Sequence, residues 1–397
     1  MISLNTVFQK PTKKELPIAL SAKEASGIKT FHQSIDNYAP TPLHSLPVLA
    51  EKMGLGGLYI KDESFRFGLN AFKSLGATWA LARILCQHLD KDIDTVDFSF
   101  FKQKIVLDKI GTMTFATATD GNHGRGLAWA AKQFGCRAKV FMPAGTVPIR
   151  VKNIEVLNAD VTVTKTNYDN TVRMAAQAAE DNDWVIVQDT SWKGYETIPL
   201  WVLQGYTTMA GEVLDQIKKN SLAMPTHLFL QAGVGSMPAA ILGYYANVLK
   251  EKCPATYILE PNRADCMYQS ALRGDGNPVA VTGALDTMMA GLACGEPNPF
   301  AWEILRDFSS GFISCSDEIA AIGMRCLAHP LGNDPAIVSG ESAAVGPGLA
   351  DVLSMDSKWA DTRKKMGLDK DAILLCFSTE GDTDPENYQR ITGKKVL

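Results

Sequence analysis

The sequence predicts an α/β protein built on open, mostly parallel sheets flanked by helices. Short runs rich in β-branched residues alternate with Gly-rich or polar turns and with helical patterns, which is typical of parallel sheets. The candidate strands are LYIKD (58–62), TFATAT (114–119), KVFMP (139–143), VTVTK (161–165), VIVQD (185–189), HLFLQA (227–232), TYILE (256–260) and ILLCFS (373–378). Apolar spacing of about 3.6 follows several of them, for example at 125–135 and 237–250, and indicates helices there.

The length of 397 residues predicts two domains. No linker rich in Pro, Gly or Ser separates the elements, so we expect a discontinuous arrangement. A large domain is predicted at 1–65 and 191–397, with a small domain, 66–190, inserted in it. Residues 86–113 interrupt the alternation of elements and are expected to be an insertion.

Composition argues against several classes of function. The net charge of −4, with Lys and Arg scattered along the chain, favours neither nucleic acid nor an anionic membrane as partner. The first residues lack the apolar stretch of a signal peptide or membrane span, so we expect a cytoplasmic enzyme. Eight cysteines without CxxC spacing and six isolated histidines predict no metal site. Cys266 and Cys294 are expected to be inert, with a redox role as the weaker alternative.

The segment GVGSM (233–237) follows the candidate strand at 227–232, and ligands of open α/β sheets bind beyond such strand ends. Gly233 and Gly235 let the backbone approach a ligand, and the next helix offers free N–H groups and a positive dipole end, which suits phosphate. Pro238 stands where a dinucleotide fingerprint has its third glycine, and GK[ST] is absent. A tight turn without a ligand is the alternative.

Polar residues also stand at or just after the ends of three other candidate strands. Asn122 and His123 lie in DGNHGRG (120–126), Asp189 ends VIVQD, and Ser378 begins STEGDTD. Side chains at these positions could reach a ligand. A capped turn without a ligand is an equal alternative for the segment at 120–126, and for Asp189 and Ser378, each taken alone, a capped turn is the favoured interpretation.

Lys73, in the segment NAFKSLGA, occupies a position that disfavours a cation. Asn70 could cap a helix beginning near Ala71, which would place Lys73 in the first turn, at the positive end of the helix dipole. An amine there, partly desolvated by Phe72 and Trp79, would be a better nucleophile toward a carbonyl carbon. A lysine whose stem packs and whose ammonium group reaches water is the alternative.

Taken together and in order, FGLNAFKSLGA, TATDGNHGRG, QAGVGSM and STEGDTD resemble the fold type II pyridoxal-phosphate enzymes, the tryptophan synthase β-subunit group that includes serine and threonine dehydratases. The resemblance extends from about residue 40 to about residue 385. It implies two open, twisted, mostly parallel sheets flanked by helices, with the active site in a cleft between domains. It also implies a pyridoxal 5'-phosphate cofactor held by Lys73, Asn122, Gly233, Val234, Gly235, Ser236, Met237 and Ser378.

Within this group, RFGLNAFK, VQDT, GLACGEPNP, GNDP and STEGDTD are most similar to the ammonia-lyases of 2,3-diaminopropionate. The similarity implies a carbon–nitrogen lyase that converts the L-isomer and also the D-isomer to pyruvate and two ammonia. Asp120 would bind the second amine, because a carboxylate beside a phosphate needs a cationic partner, and could act as the acid for its departure. Lys73 and Asp189 would be the two bases, with Asp189 serving the D-isomer.

Two other functions remain as alternatives. A serine or threonine dehydratase of the same fold is the nearer one. The remote one is a Rossmann oxidoreductase using NAD, favoured by Glu260 at a strand end after the glycine segment and opposed by the incomplete fingerprint. The expected partners are a small amino-acid substrate and a second copy of the chain in a homodimer, without nucleic acid or membrane.

Overall fold

The chain divides into two compact units in a computed structural model that describes residues 2–12, 15–119 and 121–395. The large unit comprises Met1–Ala22, Pro40–Asn70 and Met209–Leu397, and the small unit comprises Lys23–Ala39 and Ala71–Thr208. Residues 23–39 and 191–208 therefore pack with the small unit, whereas the sequence-based boundaries assign them to the large domain. The domain boundaries stay a prediction.

The strands of the described residues form one sheet in each unit. In chain order they are β1 (Leu4–Phe8), β2 (Leu43–Ser45), β3 (Gly57–Asp62), β4 (Thr114–Ala118), β5 (Arg137–Met142), β6 (Asp160–Val163), β7 (Val185–Ile186), β8 (His227–Gln231), β9 (Ala255–Pro261), β10 (Gly311–Cys315) and β11 (Ile373–Ser378). All eight candidate strands of the sequence are present. The sequence did not reveal β1, β2 and β10.

The large unit contains a seven-stranded sheet in the order β1-β10-β9-β8-β11-β3-β2. Its five inner strands are parallel, and the two edge strands β1 and β2 pair antiparallel with their neighbours. The inner strands read as continuous apolar runs because both faces of the sheet are covered, and every residue of β8 is buried. The parallel direction places Gln231, Pro261 and Ser378 at carboxyl strand ends.

The small unit contains a four-stranded parallel sheet in the order β6-β5-β4-β7. Ala116 of β4 is paired with Ile186 of β7, so the segments that follow these two strands begin at the same edge of the sheet. The prediction of mostly parallel sheets is confirmed in both units.

The helices follow the strands as expected for α/β units. In chain order they are α1 (Ala22–Gln33), α2 (Pro47–Lys52), α3 (Ser74–His88), α4 (Lys104–Ile110), α5 (Asn122–Phe134), α6 (Pro148–Glu155), α7 (Tyr168–Asp181), α8 (Thr197–Gly205), α9 (Thr207–Lys219), α10 (Ser236–Leu249), α11 (Cys266–Arg273), α12 (Pro299–Phe308), α13 (Asp317–Ala328), α14 (Val345–Met355), α15 (Ala360–Met366) and α16 (Pro385–Thr392). None of the described helices is both long and apolar enough to cross a membrane.

Aromatic side chains explain the mixed composition of residues 86–113. The ring centroids of Phe98 and Phe101 lie 5.2 Å and 5.0 Å from that of Phe134, at the end of α5, and both rings are buried. Edge-to-face pairs of this kind add to the free energy of burial. The segment therefore belongs to the core of the small unit.

Candidate active site

Lys73 lies immediately before α3, as the N-cap residue of that helix, with helical backbone angles of φ −57° and ψ −23°. The prediction that Lys73 stands at a helix start is confirmed, although the helix begins at Ser74 and not near Ala71. The predicted cap is wrong. Asn70 adopts a left-handed conformation, φ 57°, and its side-chain amide donates to Asp382 Oδ1 at 3.0 Å.

The amine of Lys73 has a carboxylate and two aromatic rings around it. Its Nζ forms an ion pair and hydrogen bond with Asp189 Oδ2. Nζ also lies 5.3 Å from the ring centroid of Phe72 and 5.9 Å from that of Tyr206. The sequence suggested Trp79 as the second ring, but Tyr206 is the one in contact. The Lys73 side chain is 19% exposed, so the amine is sheltered yet reachable.

Gly126 allows α5 to approach the start of α3. A Cβ atom at this position would lie 2.8 Å from the amide nitrogen of Ser74 and 2.9 Å from the carbonyl carbon of Lys73, which no real side chain tolerates. Only glycine permits this spacing. This close packing holds α5, whose amino end carries Asn122 and His123, against the start of α3, where Lys73 lies.

Asp189 follows β7, and nearby positive charges stabilise the ionised form of its buried carboxyl group. Burial alone would raise its pKa, but the charges of Lys73 and His123 and the hydrogen bond from Lys73 lower the pKa to about 2. The Nδ1 atom of His123 lies 3.8 Å from Asp189 Oδ2. The structure thus brings three of the predicted polar residues together.

Thr119 shapes the loop between β4 and α5, a role that the sequence did not suggest. Its hydroxyl oxygen accepts the amide N–H of Gly121 at 2.9 Å and that of Gly124 at 3.1 Å. Asn122 is the first residue of α5 and is partly exposed. Asp120 lies outside the described residues, so its predicted role stays a prediction.

The glycine segment of the large unit joins β8 to α10. Gly235 is left-handed, φ +94°, a backbone conformation that strains any residue with a Cβ atom and therefore favours glycine. Asn298 fixes the segment from outside: its amide N–H donates to the Val234 carbonyl oxygen at 2.8 Å, and its Nδ2 donates to Ser236 Oγ at 3.2 Å.

Asn298 was missed because an Asn before Pro reads as an ordinary N-cap of α12, which it also is. The signal that could have found it is its position in GEPNP, one of the segments on which the resemblance depends. Asn298 therefore supports the glycine segment as well as starting a helix.

Ser378 ends β11, is buried, and donates its hydroxyl to Ser339 Oγ at 2.9 Å. Ser339 precedes α14 in a run of small residues that gave no functional signal. Ser378 thus presents a neutral, hydrogen-bonded hydroxyl at a carboxyl strand end.

The residues of each unit fit part of pyridoxal phosphate. The small unit supplies an accessible amine at Lys73, and within it the hydroxyl of Tyr206 is buried without a hydrogen-bond partner among the described residues. The large unit supplies a left-handed glycine segment at the amino end of a fourteen-residue helix, which suits a phosphate dianion, and the Ser378 hydroxyl. The Lys73 amine suits the aldehyde of the cofactor, the glycine segment suits its phosphate, and the Ser378 hydroxyl suits its ring.

Two cysteines singled out in the sequence, Cys266 and Cys294, are not joined in a disulfide. Burial raises the pKa of the Cys266 thiol above the range of reactive cysteines, and the nearby Glu260 carboxyl adds to the effect. No group of three or more His, Cys, Asp or Glu among the described residues could hold a metal ion.

Glu260 does not support the oxidoreductase alternative. Its carboxyl is fully buried and accepts the amide N–H groups of Met267 at 2.9 Å and Tyr268 at 2.7 Å, at the start of α11. Burial raises its pKa to about 8, against the lowering by those two hydrogen bonds. The side chain caps a helix and is not presented to a ribose.

Comparison with known proteins assigns the chain to a family. Residues 35–355 match the family described as pyridoxal-phosphate dependent enzyme. The chain is 48% identical over 371 residues to diaminopropionate ammonia-lyase of Escherichia coli (strain K12), covering 94% of this chain and 92% of that protein. It is 47% identical over 365 residues to diaminopropionate ammonia-lyase of Salmonella typhimurium (strain LT2), covering 92% of this chain and 90% of that protein.

A solved structure agrees with these relatives. The crystal structure of diaminopropionate ammonia-lyase from Escherichia coli in complex with D-serine superposes with a TM-score of 0.92 at 45% identity, covering 98% of this chain and 97% of that chain. The fold type II architecture and the pyridoxal phosphate cofactor expected from the sequence are confirmed. The chain belongs to the pyridoxal-phosphate-dependent enzymes and, among them, to the family of the diaminopropionate ammonia-lyases.

Proposed function

We propose that the protein catalyses the pyridoxal-phosphate-dependent α,β-elimination of 2,3-diaminopropionate to pyruvate and two molecules of ammonia. The observation that carries the proposal is the similarity to diaminopropionate ammonia-lyases over nearly the whole length of both chains. The paired amine and carboxylate at Lys73 and Asp189 support it, because an elimination needs groups that take and return protons.

We infer that the residues predicted from the sequence hold the cofactor. When bound, pyridoxal phosphate withdraws electrons from the substrate α-carbon and so makes the α-proton acidic. Lys73 would bind its carbonyl carbon, Asn122 its ring hydroxyl and Ser378 its pyridine nitrogen. The phosphate would be held by Gly233, Val234, Gly235, Ser236 and Met237. A neutral serine at the pyridine nitrogen supplies no charge that would keep it protonated.

Two residues would remove the α-proton. The amine of Lys73 takes it from the L-isomer, and the carboxylate of Asp189 takes it from the D-isomer on the opposite face. In the structure, where Lys73 pairs with it, the pKa of Asp189 is lowered to about 2, so its carboxyl is ionised and can accept a proton. Action on the D-isomer rests on this second base.

Asp120 would bind and release the β-amine. Its carboxylate would pair with the β-ammonium group of the substrate and, when protonated, return a proton to the departing amine.

One set of measurements tests the activity. The purified protein should show the absorbance of a lysine-bound pyridoxal cofactor, and it should release ammonia from DL-diaminopropionate much faster than from serine. Lys73→Ala should lose both, while Lys132→Ala, an exposed lysine of α5, should lose neither. Faster release from serine would instead support the serine or threonine dehydratase alternative, and a colourless wild type would contradict both.

We also propose that the enzyme is a cytoplasmic homodimer. Family expectation supports both the location and the dimer. Light scattering after size-exclusion chromatography should give twice the chain mass of 43.1 kDa. A species of the single-chain mass at micromolar concentration would contradict the dimer.

A further inference from the structure

Glu260, near the end of β9, holds the amino end of α11. Its two carboxyl oxygens accept the amide N–H groups of Met267 at 2.9 Å and Tyr268 at 2.7 Å. These N–H groups lie in the first turn of α11, where the helix itself offers no acceptor. The N-cap residue Asp265 makes no side-chain bond to them, and its carboxylate accepts the Ser314 hydroxyl at 2.8 Å instead. Glu260 therefore fixes the start of the helix.

The first two residues of α11 lie against the glycine segment. The terminal methyl group of Met267 contacts Gly235, because a Cβ atom built there would be 2.3 Å from it. Cys266 Sγ lies 4.0 Å from the Gly233 carbonyl oxygen and 3.7 Å from Glu260 Oε1. One thiol thus separates the carboxyl of Glu260 from the backbone of Gly233.

The Glu260 carboxyl is completely buried, so its charge is poorly screened by water. Burial, and to a smaller extent the charge of Asp265, raise its pKa to about 8, against the lowering by its two amide hydrogen bonds. Glu260 therefore changes its charge in a mildly alkaline range, where ordinary carboxyl groups are fully ionised.

The other titratable groups that face Glu260 come from α11 and β10. Asp265 and Cys266 lie at the start of α11, and Cys315 ends β10. Burial raises the pKa of both thiols, so they stay neutral. Asp265 is thus the charged group that acts on Glu260 from these elements.

A phosphate dianion on the glycine segment would oppose a negative charge on Glu260. The two oxygens on either side of Cys266 Sγ are no further apart than their two distances to sulfur taken together. Like charges at this range raise the pKa of a buried carboxyl. A neutral carboxyl can still accept both amide N–H groups, because its hydroxyl oxygen keeps a lone pair, so protonation preserves the start of α11.

We propose that Glu260 is a positioning residue for the glycine segment, which it supports through α11, and that it takes up a proton from solvent when a phosphate group binds there. The proposal rests on the proposed function in one respect, namely that this segment holds the cofactor phosphate. Glu260 is assigned no contact with cofactor or substrate.

The first test is a calorimetric titration that does not depend on turnover. The full-length protein, freed of cofactor with hydroxylamine, is titrated near pH 8.5 with pyridoxal phosphate and with pyridoxal, in two buffers of different ionisation enthalpy. Both ligands present the same aldehyde to Lys73, so the difference between them isolates the phosphate, whose own second pKa is about 6. The wild type should take up about half a proton more with pyridoxal phosphate, as expected if the pKa of Glu260 rises by about one unit.

Glu260→Gln should lose this additional proton uptake. Asp334→Asn is the matched control, because Asp334 is also a buried carboxyl that accepts two amide N–H groups at a helix start, those of Val48 at 3.1 Å and Leu49 at 2.8 Å. This control should keep the uptake of the wild type. An uptake in Glu260→Gln equal to that of the wild type would overturn the proposal.

The second test uses a variant that keeps Glu260. In the wild type, the affinity for pyridoxal phosphate relative to pyridoxal should fall by up to about tenfold as pH rises through about 8, because the ionised carboxyl opposes phosphate. Asp265→Asn removes the neighbouring charge but keeps an acceptor for Ser314, so the fall should begin at lower pH. A purely structural role of Glu260 would leave the relative affinity independent of pH in both proteins and would contradict the proposal.

These results separate the proposal from the proposed function. If the protein binds pyridoxal phosphate and consumes diaminopropionate, but proton uptake is the same in Glu260→Gln, the function stands and the role of Glu260 is wrong. A protein that acquires no cofactor absorbance would contradict both.

Discussion

The amine of Lys73 lies at the amino end of α3, where the helix dipole disfavours a cation. Asp189 offsets that cost by pairing with it, and Phe72 and Tyr206 limit the water around it. The position therefore suits an amine that exchanges its proton for a bond to carbon.

Asp189→Asn should reduce activity on the D-isomer of the substrate much more than activity on the L-isomer. An amide cannot act as a base, so kcat for the D-isomer should fall by about 10² to 10⁴, with a much smaller change for the L-isomer. Ammonia release from each pure isomer is the measurement. Asp120→Asn is the matched variant and should slow both isomers, because it acts on the amine that both lose. An equal loss of both activities in Asp189→Asn would contradict the assignment of two bases.

At the scale of elements, close helix contacts hold the candidate residues in place. The start of α3 and the middle of α5 approach through Gly126, and Asn298 at the start of α12 fixes the glycine segment before α10. Such contacts tolerate little change because buried interfaces are closely packed.

Gly126→Ala should damage cofactor binding more than it damages the fold. The added methyl group would push α5 away from the backbone of Lys73 and Ser74, at a cost of about 1–3 kcal/mol in the free energy of unfolding, and cofactor affinity should fall. Gly27→Ala in α1 is the control, because its Cβ would meet its nearest atom at 4.0 Å. Titration with the cofactor, followed by absorbance, measures the affinity of each variant. Equal cofactor affinities in Gly126→Ala and Gly27→Ala would contradict the prediction.

A buried charge cluster ties β3 to α9 within the large unit. Glu212 accepts from Lys61 at 2.6 Å and from Arg66 at 2.7 Å, and Arg66 also pairs with Glu63 at 2.9 Å. Burial would raise the pKa of Glu212, but the two cations lower it to about 2. A cluster of this kind costs a great deal of free energy when one partner is removed.

Glu212→Gln should destabilise the protein at neutral pH. The expected loss is about 3–5 kcal/mol, since Lys61 and Arg66 stay buried with less compensation. Because the folded pKa lies below the ordinary value of about 4.3, the stabilisation is present above that value and is lost as pH falls toward about 2.

The melting temperature, measured at several pH values, is the readout for Glu212→Gln. Asp160→Asn provides the control, since Asp160 pairs with Lys139 but is 71% exposed, and its loss should cost less than about 1 kcal/mol. A Glu212→Gln variant as stable as that control would show that the cluster does not stabilise the fold.

At the scale of the molecule, the residues proposed to hold the cofactor come from distant parts of the chain. Lys73 and Asn122 belong to the small unit, and the glycine segment and Ser378 to the large one. A ligand that binds only the folded protein stabilises it by mass action.

Removal of the cofactor should therefore lower the melting temperature. With the cofactor at ~100 times its dissociation constant, binding stabilises the folded protein by about 2.7 kcal/mol. Treatment with hydroxylamine followed by dialysis should lower the melting temperature, and added pyridoxal phosphate should restore it. Lys73→Ala should recover less on addition, because the covalent attachment is missing. An unchanged melting temperature of the wild type after cofactor removal would contradict the proposed binding of the cofactor.

Local patterns in the sequence determined the strands, the parallel class and the positions of Lys73, Asn122, Asp189 and Ser378. These features depend on alternation, helical periodicity and turn residues, which short segments carry by themselves. The edge strands β1 and β2 were missed because a short antiparallel edge lacks the apolar run and the following helix of an inner strand.

Only the tertiary structure decided which side chains meet. Tyr206 replaces Trp79 beside the Lys73 amine, Asn70 bonds to Asp382 instead of capping α3, and His123 stands against Asp189. Each contact joins residues from distant parts of the chain, so its existence depends on the packing of helices and sheets and on no local preference. The sequence by itself determined the chemical groups of the site, and folding decided how their charges act on one another.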